Sequence, residues 1–395
     1  MKIVQINAVC GSGSTGRICV EISRLLTERN IENYILYSFG KSDYPLGIKY
    51  SNDKYIHLNA VKSKLLGNYG FNSHMAAKRL VAQLERIKPD IVHLHNIHGH
   101  DADLKTLFDY LAKRDIKVIW TFHDCWAFTG YCAYFDYAGC EKWRTRCGAC
   151  PQKRRTSWFF DRSGEIYDRK KALFGAVGDI TVVTPSEWLA GLARESFFKN
   201  RDIRVINNGI DFDVFHPTEG DFREKYKIGG RKLLLGAAYI WDARKGLGDL
   251  LEAVKRLGDG YVLAVVGDVG GAELGKGVIY IPKTESQTEL AEIYSAADVF
   301  ANPTREDNLP TVNIEAIACG TPVVTFDTGG SAECVGKNTG AVVPKENIDA
   351  LVCAIEKIAK NTPSKQECIE FAKSKFEKSA CYKKYLDLYS ERLEG

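Results

Sequence analysis

The chain has 395 residues, 45% of them hydrophobic and 26% charged, which is enough for two cores of roughly 200 residues each rather than one. Its 54 Lys and Arg against 50 Asp and Glu leave a net charge of +4, too even for wholesale nucleic-acid binding, so no nucleic acid is expected as a partner. No segment approaches the roughly 18 apolar residues of a membrane span, and residues 2–9 read as a first strand rather than a signal peptide, so a cytoplasmic protein is expected.

Strand-like runs alternate with helical patterns along the chain, the signature of parallel sheets with crossover helices. In the first half the strands fall at residues 2–9, 34–39, 90–95, 117–123 and 179–184. The helix after the first strand carries Ile18, Ile22, Leu25 and Leu26 on one face. In the second half strands fall at 232–238, 261–267, 278–281, 298–301 and 322–326. Between the halves, V-I-N-N-G-I-D-F-D-V-F-H-P at 205–217 combines an Asn-Gly turn with a terminal proline and reads as the connection between domains. A last helical segment begins near residue 379.

The most informative stretch is 305–333, R-E-D-N-L-P-T-V-N-I-E-A-I-A-C-G-T-P-V-V-T-F-D-T-G-G-S-A-E. It follows an apolar strand, so its acids and amides sit where open α/β sheets bind ligands. Asp307 lies on the loop, and Glu315, eight positions on, falls in the first turn of a predicted helix over 312–318. Carboxylates accept from sugar hydroxyls while a helix N-terminus attracts an anion, so the pair suits a nucleotide sugar. Near the N-terminus, the glycines at 11, 13 and 16 follow a strand and open a helix, formally the dinucleotide fingerprint. That fingerprint also needs an acid at the end of the second strand, which here closes Ser38-Phe39-Gly40-Lys41 with Asp43 only in the loop. The loop is therefore read as a glycine-rich rim, with Gly13 and Gly16 letting donor phosphate or acceptor approach the backbone.

His93, His95, His98, His100 and His123 crowd the ends of two neighbouring strands, either as a metal site or as hydrogen-bonded core residues. Cys132, Cys140, Cys147 and Cys150 interrupt the alternation with an insertion near 125–165 that is rich in glycine and aromatics. Four thiolates would close a structural zinc site, with Cys125 as an alternative ligand; the other reading is reduced packing thiols. The insertion is also basic, with Lys142, Arg144, Arg146, Lys153, Arg154 and Arg155 running into Trp158-Phe159-Phe160. Basic residues beside bulky aromatics suit an anionic membrane surface; the alternative is a solvated face over a core aromatic cluster.

Asp307 to Glu315 with the trailing A-C-G-T-P-V-V and G-G-S-A-E, the linker N-N-G-I-D, T-P-S-E-W-L at Thr184 and H-L-H-N at His93 together resemble the family 4 retaining glycosyltransferases over nearly the whole chain. The resemblance implies an α/β fold of two facing Rossmann-like domains with an interdomain cleft, the GT-B architecture. Residues 1–206 would form the acceptor-side domain and 207–378 the nucleotide-sugar donor domain. A C-terminal helix over 379–395 would pack back toward the first. It implies that Glu315 accepts from the nucleotide ribose, while Asp307 and the backbone of Asn308, Leu309 and Pro310 face the sugar and its phosphate.

Two departures stand out. The family's first acid is usually Glu, whereas Asp307 stands there with Glu306 just before it, leaving open which of them holds the sugar. The family's diphosphate pair is an arginine five residues before a lysine; Lys245 matches, but Ile240 occupies the arginine position. Arg244 is the substitute, although adjacent side chains seldom point the same way. His123, in T-F-H-D, resembles the family histidine beside the donor sugar.

The expected activity is transfer of a sugar from a nucleoside-diphosphate sugar, with retention, to a glycan or lipid-linked acceptor in polysaccharide or lipopolysaccharide assembly, at the inner face of the membrane. The catalytic residues would be His123, Asp307 and Glu315. Asp101-x-Asp103 and Asp211-x-Asp213 imitate a metal-binding acid pair but follow no suitable strand end, so no catalytic metal is expected. The rival readings are a nucleotide-sugar epimerase of the same architecture and a non-enzymatic zinc-containing binding module.

Overall fold

In the strand Lys232–Ile240, Leu233, Leu235 and Ala237 enter one apolar cluster while Leu234 and Ala238 enter another. A strand that buries both of its faces needs helices above and below the sheet, which is the condition of parallel sheets. The structure, a computed structural model, describes residues 1–394 and divides into two units. One comprises Met1–Ile206 with the chain from Tyr382 onward; the other is Asn207–Cys381.

The first unit holds seven strands: β1 (Lys2–Asn7), β2 (Glu32–Tyr37), β3 (Gly47–Lys49), β4 (Ile91–Leu94), β5 (Lys117–Thr121), β6 (Ile180–Thr184) and β7 (Asp202–Val205). Their order is β3-β2-β1-β4-β5-β6-β7, and every pairing is parallel. The second unit holds β8 (Lys232–Ile240), β9 (Tyr261–Asp268), β10 (Ile279–Ile281), β11 (Val299–Asn302), β12 (Val323–Phe326) and β13 (Gly340–Val343), ordered β10-β9-β8-β11-β12-β13 and again all parallel. In each sheet the chain leaves the central strand in one direction and later returns on its other side. The switch points lie between β1 and β4 and between β8 and β11, where carboxyl-end loops diverge and leave a crevice.

Three strands escape the sequence reading: β3, β7 and β13. All are sheet edges of three or four residues, too short to show a period, and their backbone pairing rather than an apolar run makes them strands. The final helix, Lys378–Glu394, buries Tyr382, Tyr385, Leu386 and Tyr389, and from Tyr382 onward it belongs to the first unit. Two of its tyrosines reach the first sheet: Tyr389 Oη lies 2.7 Å from His93 Nδ1 and Tyr385 Oη 3.0 Å from Thr121 Oγ1. Ion pairs from Arg392 to Asp179 and from Arg204 to Glu391 fasten its end. Among the described residues, no helix is long and apolar enough to cross a membrane.

Candidate active site

In the second unit the loops after β8 and β11 meet at the switch point. Gly246, at φ +74°, makes this contact possible, because a Cβ there would lie 2.1 Å from the Pro303 carbonyl oxygen. The Asp242 side chain accepts from the Arg244 backbone N–H at 3.0 Å and so sets the turn that carries the two cations. Lys245 Nζ reaches Asp307 Oδ2 at 2.5 Å, and Arg244 Nη1 lies 3.7 Å from the same oxygen while donating to the Glu306 carbonyl at 2.7 Å. The two adjacent cations therefore do converge, against the expectation for neighbouring residues, because Asp242 accepts from both of their backbone N–H groups and folds the segment into a tight turn.

The pairing separates the two acids whose roles the sequence left open. Glu306 is fully buried, whereas Asp307 keeps an exposed edge and meets both cations. Gly329 packs against this loop, at φ +56°, where a Cβ would lie 1.8 Å from the Asp307 carbonyl oxygen. The Gly330 N–H donates to that oxygen at 3.0 Å, so the G-G-S segment fixes the height of the Asp307 carboxylate. Arg305, in contrast, is committed elsewhere, gripping Asp249 with Nη2 at 2.8 and 3.0 Å.

Glu315 lies in the second turn of the helix Thr311–Ala318, not the first as the sequence suggested, because the helix starts at Thr311 directly after Pro310. Asn308, Leu309 and Glu315 are mostly buried beside that helix start. Tyr294 donates to Glu315 Oε2 at 3.1 Å, and burial, then the nearby carboxylate, pushes the phenol far above its ordinary pKa. The tyrosine so holds one carboxylate oxygen. It is a residue the sequence reading missed, since it stands 21 positions away with no local signal.

In the first unit the histidines form hydrogen-bonded rows. His93 is sealed between Tyr389 and Thr121, and its Nε2 lies 2.8 Å from Thr121 Oγ1. His95 Nε2 faces Gln5 Oε1 at 3.1 Å, and its Nδ1 faces His123 Nε2 at 3.0 Å. Gln5 donates its amide to the Cys19 carbonyl at 2.9 Å, so its oxygen must accept from His95. This assigns the protons along the row: His95 carries hydrogen on Nε2, its bare Nδ1 accepts from His123 Nε2–H, and His123 Nδ1 is left as an acceptor. Burial pushes His93 down to about 3 and His123 to about 4, and His95 also falls well below its ordinary value, so all three are neutral. Both ring nitrogens of His93 and of His95 are engaged, which fits the hydrogen-bonded reading of the cluster rather than a metal site.

His98 behaves differently. Burial works against its charge, but the Asp124 carboxylate 2.9 Å from Nε2 outweighs burial and raises its pKa. The acid pair Asp101 and Asp103 is engaged within the fold: Asp101 accepts from the Ser38 and Tyr50 hydroxyls and the Gly99 N–H, while Asp103 caps the helix Leu104–Ala112. In the glycine loop, the helix Gly13–Glu28 begins at Gly13, where a side chain would meet open space, and Gly16 packs on Val9 and Gly11.

The cysteines of the insertion all pack against one aromatic cluster that includes Trp126, Phe128, Phe135 and Trp143. The Cys132 and Cys150 thiols share a hydrogen bond, which raises the pKa of the first and lowers that of the second. The Gly130 N–H donates to Cys147 Sγ at 3.2 Å. Lys170, fully buried, ties the insertion down by donating to the Trp126 and Thr129 carbonyls at 2.7 and 3.1 Å. The donor chemistry suits a structural zinc at Cys132, Cys140, Cys147 and Cys150, but among the described residues no three His, Cys, Asp or Glu side chains are grouped as around a metal ion.

The sequence profile described as Glycosyltransferase Family 4 matches residues 15–214, and the one described as Glycosyl transferases group 1 matches 220–375. The chain belongs to glycosyltransferase family 4. The putative colanic acid biosynthesis glycosyl transferase WcaC of Escherichia coli is 25% identical over 367 residues, covering 88% of each chain. A D-inositol 3-phosphate glycosyltransferase from a Mycobacterium species is 29% identical over 178 residues, 41% of this chain and 40% of that one. Among solved structures, the sucrose-phosphate synthase of Thermosynechococcus elongatus superposes with a TM-score of 0.74 at 16% identity, covering 100% of this chain and 99% of that one. Anabaena HepE in complex with UDP superposes with a TM-score of 0.69 at 13% identity, covering 99% of this chain and 100% of that one. These likenesses show the fold, two Rossmann-like α/β domains of the GT-B class. The family makes the protein a glycosyltransferase.

Proposed function

We propose that the protein moves a sugar from a nucleoside-diphosphate sugar to an acceptor hydroxyl with retention at the anomeric carbon, in the assembly of a bacterial surface polysaccharide. The observation that carries this reading is the convergence of Lys245 and Arg244 on Asp307 at the β8/β11 switch point. In the reaction the bond from the anomeric carbon to the diphosphate oxygen breaks, and a bond to the acceptor oxygen forms on the same face. The acceptor's proton passes to the departing phosphate. Lys245 and Arg244 stabilise the charge that grows on that phosphate; the turn at Asp242 and the Glu306 carbonyl keep the two cations near the site when the Asp307 carboxylate gives way. Glu315 takes the ribose hydroxyls, and Asn308 and Leu309 offer backbone N–H groups to the phosphate; Pro310 has only a carbonyl.

Asp307 turns from its cations to the sugar as the diphosphate takes them over. The same reading gives His123 a sugar contact, for which its Nδ1 acceptor and neutral state suit a hydroxyl donor. With Asp101 and Asp103 occupied by helix and turn capping, the reading assigns the counter-charge to lysine and arginine rather than to a metal-binding acid pair. The polysaccharide role follows the likeness to WcaC, and a glycan or lipid-linked acceptor fits it. A thermal-shift screen of UDP-, GDP- and ADP-sugars, followed by NMR of the product anomer, tests the proposal. An inverted product overturns retention, and isomerised donor without acceptor supports the epimerase instead.

A further inference from the structure

The helix Asp53–Leu66 is built inside out. Its buried residues are Ile56, Asn59 and Ser63, while Leu58 (64% exposed), Val61, Leu65 and Leu66 point to solvent. Leu58, Val61 and Leu65 are spaced three and four apart and so share one stripe. A helix in a water-soluble fold turns such a stripe inward, and this one does not. A second segment adds to the same surface. Trp158, Phe159 and Phe160 are 49%, 63% and 53% exposed, so the reading of them as a core cluster does not hold.

The two segments are joined by backbone: the Trp158 N–H donates to the Lys64 carbonyl at 2.8 Å, and Gly67 lies against the Phe160 carbonyl oxygen. Three consecutive exposed aromatics beside an outward leucine stripe form an apolar patch that a monomeric surface seldom carries without a purpose.

Charge identifies what covers it. Across residues 53–66 and 153–162 stand Lys54, Lys62, Lys64, Lys153, Arg154, Arg155 and Arg162 against only Asp53 and Asp161. Both acids are engaged, Asp53 by Lys49 and Asp161 by the Cys150 and Ser163 N–H groups. Lys64 also stands over the Trp158 ring and Arg162 over Phe160, so the cations rim the aromatics. Lys64 and Arg155 help line a cavity of about 210 Å³, with room for a phosphate group. Aromatic and leucine side chains that enter an acyl layer, ringed by cations that meet anionic headgroups, are the components of an interfacial membrane anchor.

We infer that the surface formed by the helix Asp53–Leu66 and residues 157–160 docks the protein on an anionic lipid bilayer. The aromatics and Leu58, Val61 and Leu65 insert at the headgroup boundary, and the lysines and arginines hold the lipid phosphates. The inference rests on burial and charge in the first unit and stands independently of the transferase reading.

Cosedimentation with phosphatidylcholine vesicles, with and without about 30% phosphatidylglycerol, tests it. The full chain binds the anionic vesicles and is released as salt rises well past about 0.1 M, where the Debye length falls below ~10 Å. Replacing all three aromatics (Trp158→Ser, Phe159→Ser, Phe160→Ser) lowers the partition coefficient more than tenfold. The pair Leu58→Ser and Leu65→Ser, on the other segment, lowers it as well. Circular dichroism and nucleotide-induced thermal shift stay as in the parent, since these side chains already face solvent. Absence of vesicle binding at low salt overturns the inference, as does binding by both variants as strong as the parent's. A parent that is a dimer by light scattering, dissociated by the same substitutions and indifferent to vesicles, overturns it too, assigning the patch to a second copy of the chain.

Discussion

Replacing Glu315 by Gln and by Ala separates its expected ligand role from its structural one. Tyr294 is fully buried and donates to Glu315 Oε2 at 3.1 Å. Glutamine keeps an acceptor oxygen for that phenol, so folding stability changes by less than about 1 kcal/mol. Alanine leaves the buried hydroxyl unpaired, at a cost of about 1–3 kcal/mol, or roughly 2–4 °C per kcal/mol in the melting temperature of a domain of this size. Nucleotide binding responds differently. Hydrogen bonds to a charged group contribute about 1.5–3 kcal/mol and neutral ones about 0.5–1.5, so Glu315→Gln loses about 1–1.5 kcal/mol at the ribose. That is a rise of roughly five- to twelvefold in the dissociation constant. Glu315→Ala weakens binding at least as much. Isothermal titration with the best nucleotide of the screen, beside thermal denaturation of each variant, reads both quantities. A Glu315→Gln variant that binds the nucleotide as tightly as the parent would falsify the ribose assignment, whatever happened to its stability.

Lys245→Ala is expected to weaken a nucleoside diphosphate about tenfold or more and the matching monophosphate far less if, as proposed, the cation meets the diphosphate; equal losses for the two ligands in a competition assay would remove Lys245 from that role. Asp307→Asn releases Lys245 from its 2.5 Å partner, so diphosphate binding holds or tightens while sugar transfer falls, and a variant with full turnover contradicts a sugar contact. Stability depends on pH through the neutral histidines: with folded pKa values of about 3 for His93 and about 4 for His123 below an unfolded value near 6.5, their contribution is complete above about pH 6.5 and is lost as pH falls. The loss reaches about 1.4 kcal/mol per pH unit for each imidazole, whereas His98, raised by Asp124, works in the opposite sense; denaturant midpoints that stay flat from pH 7.5 to pH 5, values chosen to span that unfolded pKa of roughly 6.5, refute the neutral row. Metal analysis of chelator-washed protein decides the structural zinc proposed for Cys132, Cys140, Cys147 and Cys150: one equivalent supports it, and a folded protein with none ends it.

The central strands were legible in the sequence because each carries a run of apolar side chains buried on both faces, as Leu233, Leu234 and Leu235 show in β8. The edge strands β3 and β13 were not, since Gly47–Lys49 and Gly340–Val343 owe their state to a neighbour's backbone. The donor motif was readable for a similar reason. Its spacing of acid, proline and acid is local, although the height of the loop that displays it is set by Gly329 and Gly330. The family could therefore be named from the sequence.

Partnership across distant segments was decided only by the tertiary structure. That Arg244 and Lys245 share one carboxylate depends on Gly246 admitting the Pro303 carbonyl, a contact between segments 57 positions apart. That Glu306 is sealed while Asp307 faces the cations depends on the Gly329 turn. The protonation of His123 runs through His95 to Gln5, on three different strand ends, and no spacing along the chain encodes it. The exposed side of the helix Asp53–Leu66 is a tertiary fact as well: only the packing of Asn59 and Ser63 inward turns its leucines out. Sequence fixes what a residue can do chemically through its side chain and its near neighbours; which groups it meets, and which face meets water, is settled by long-range packing.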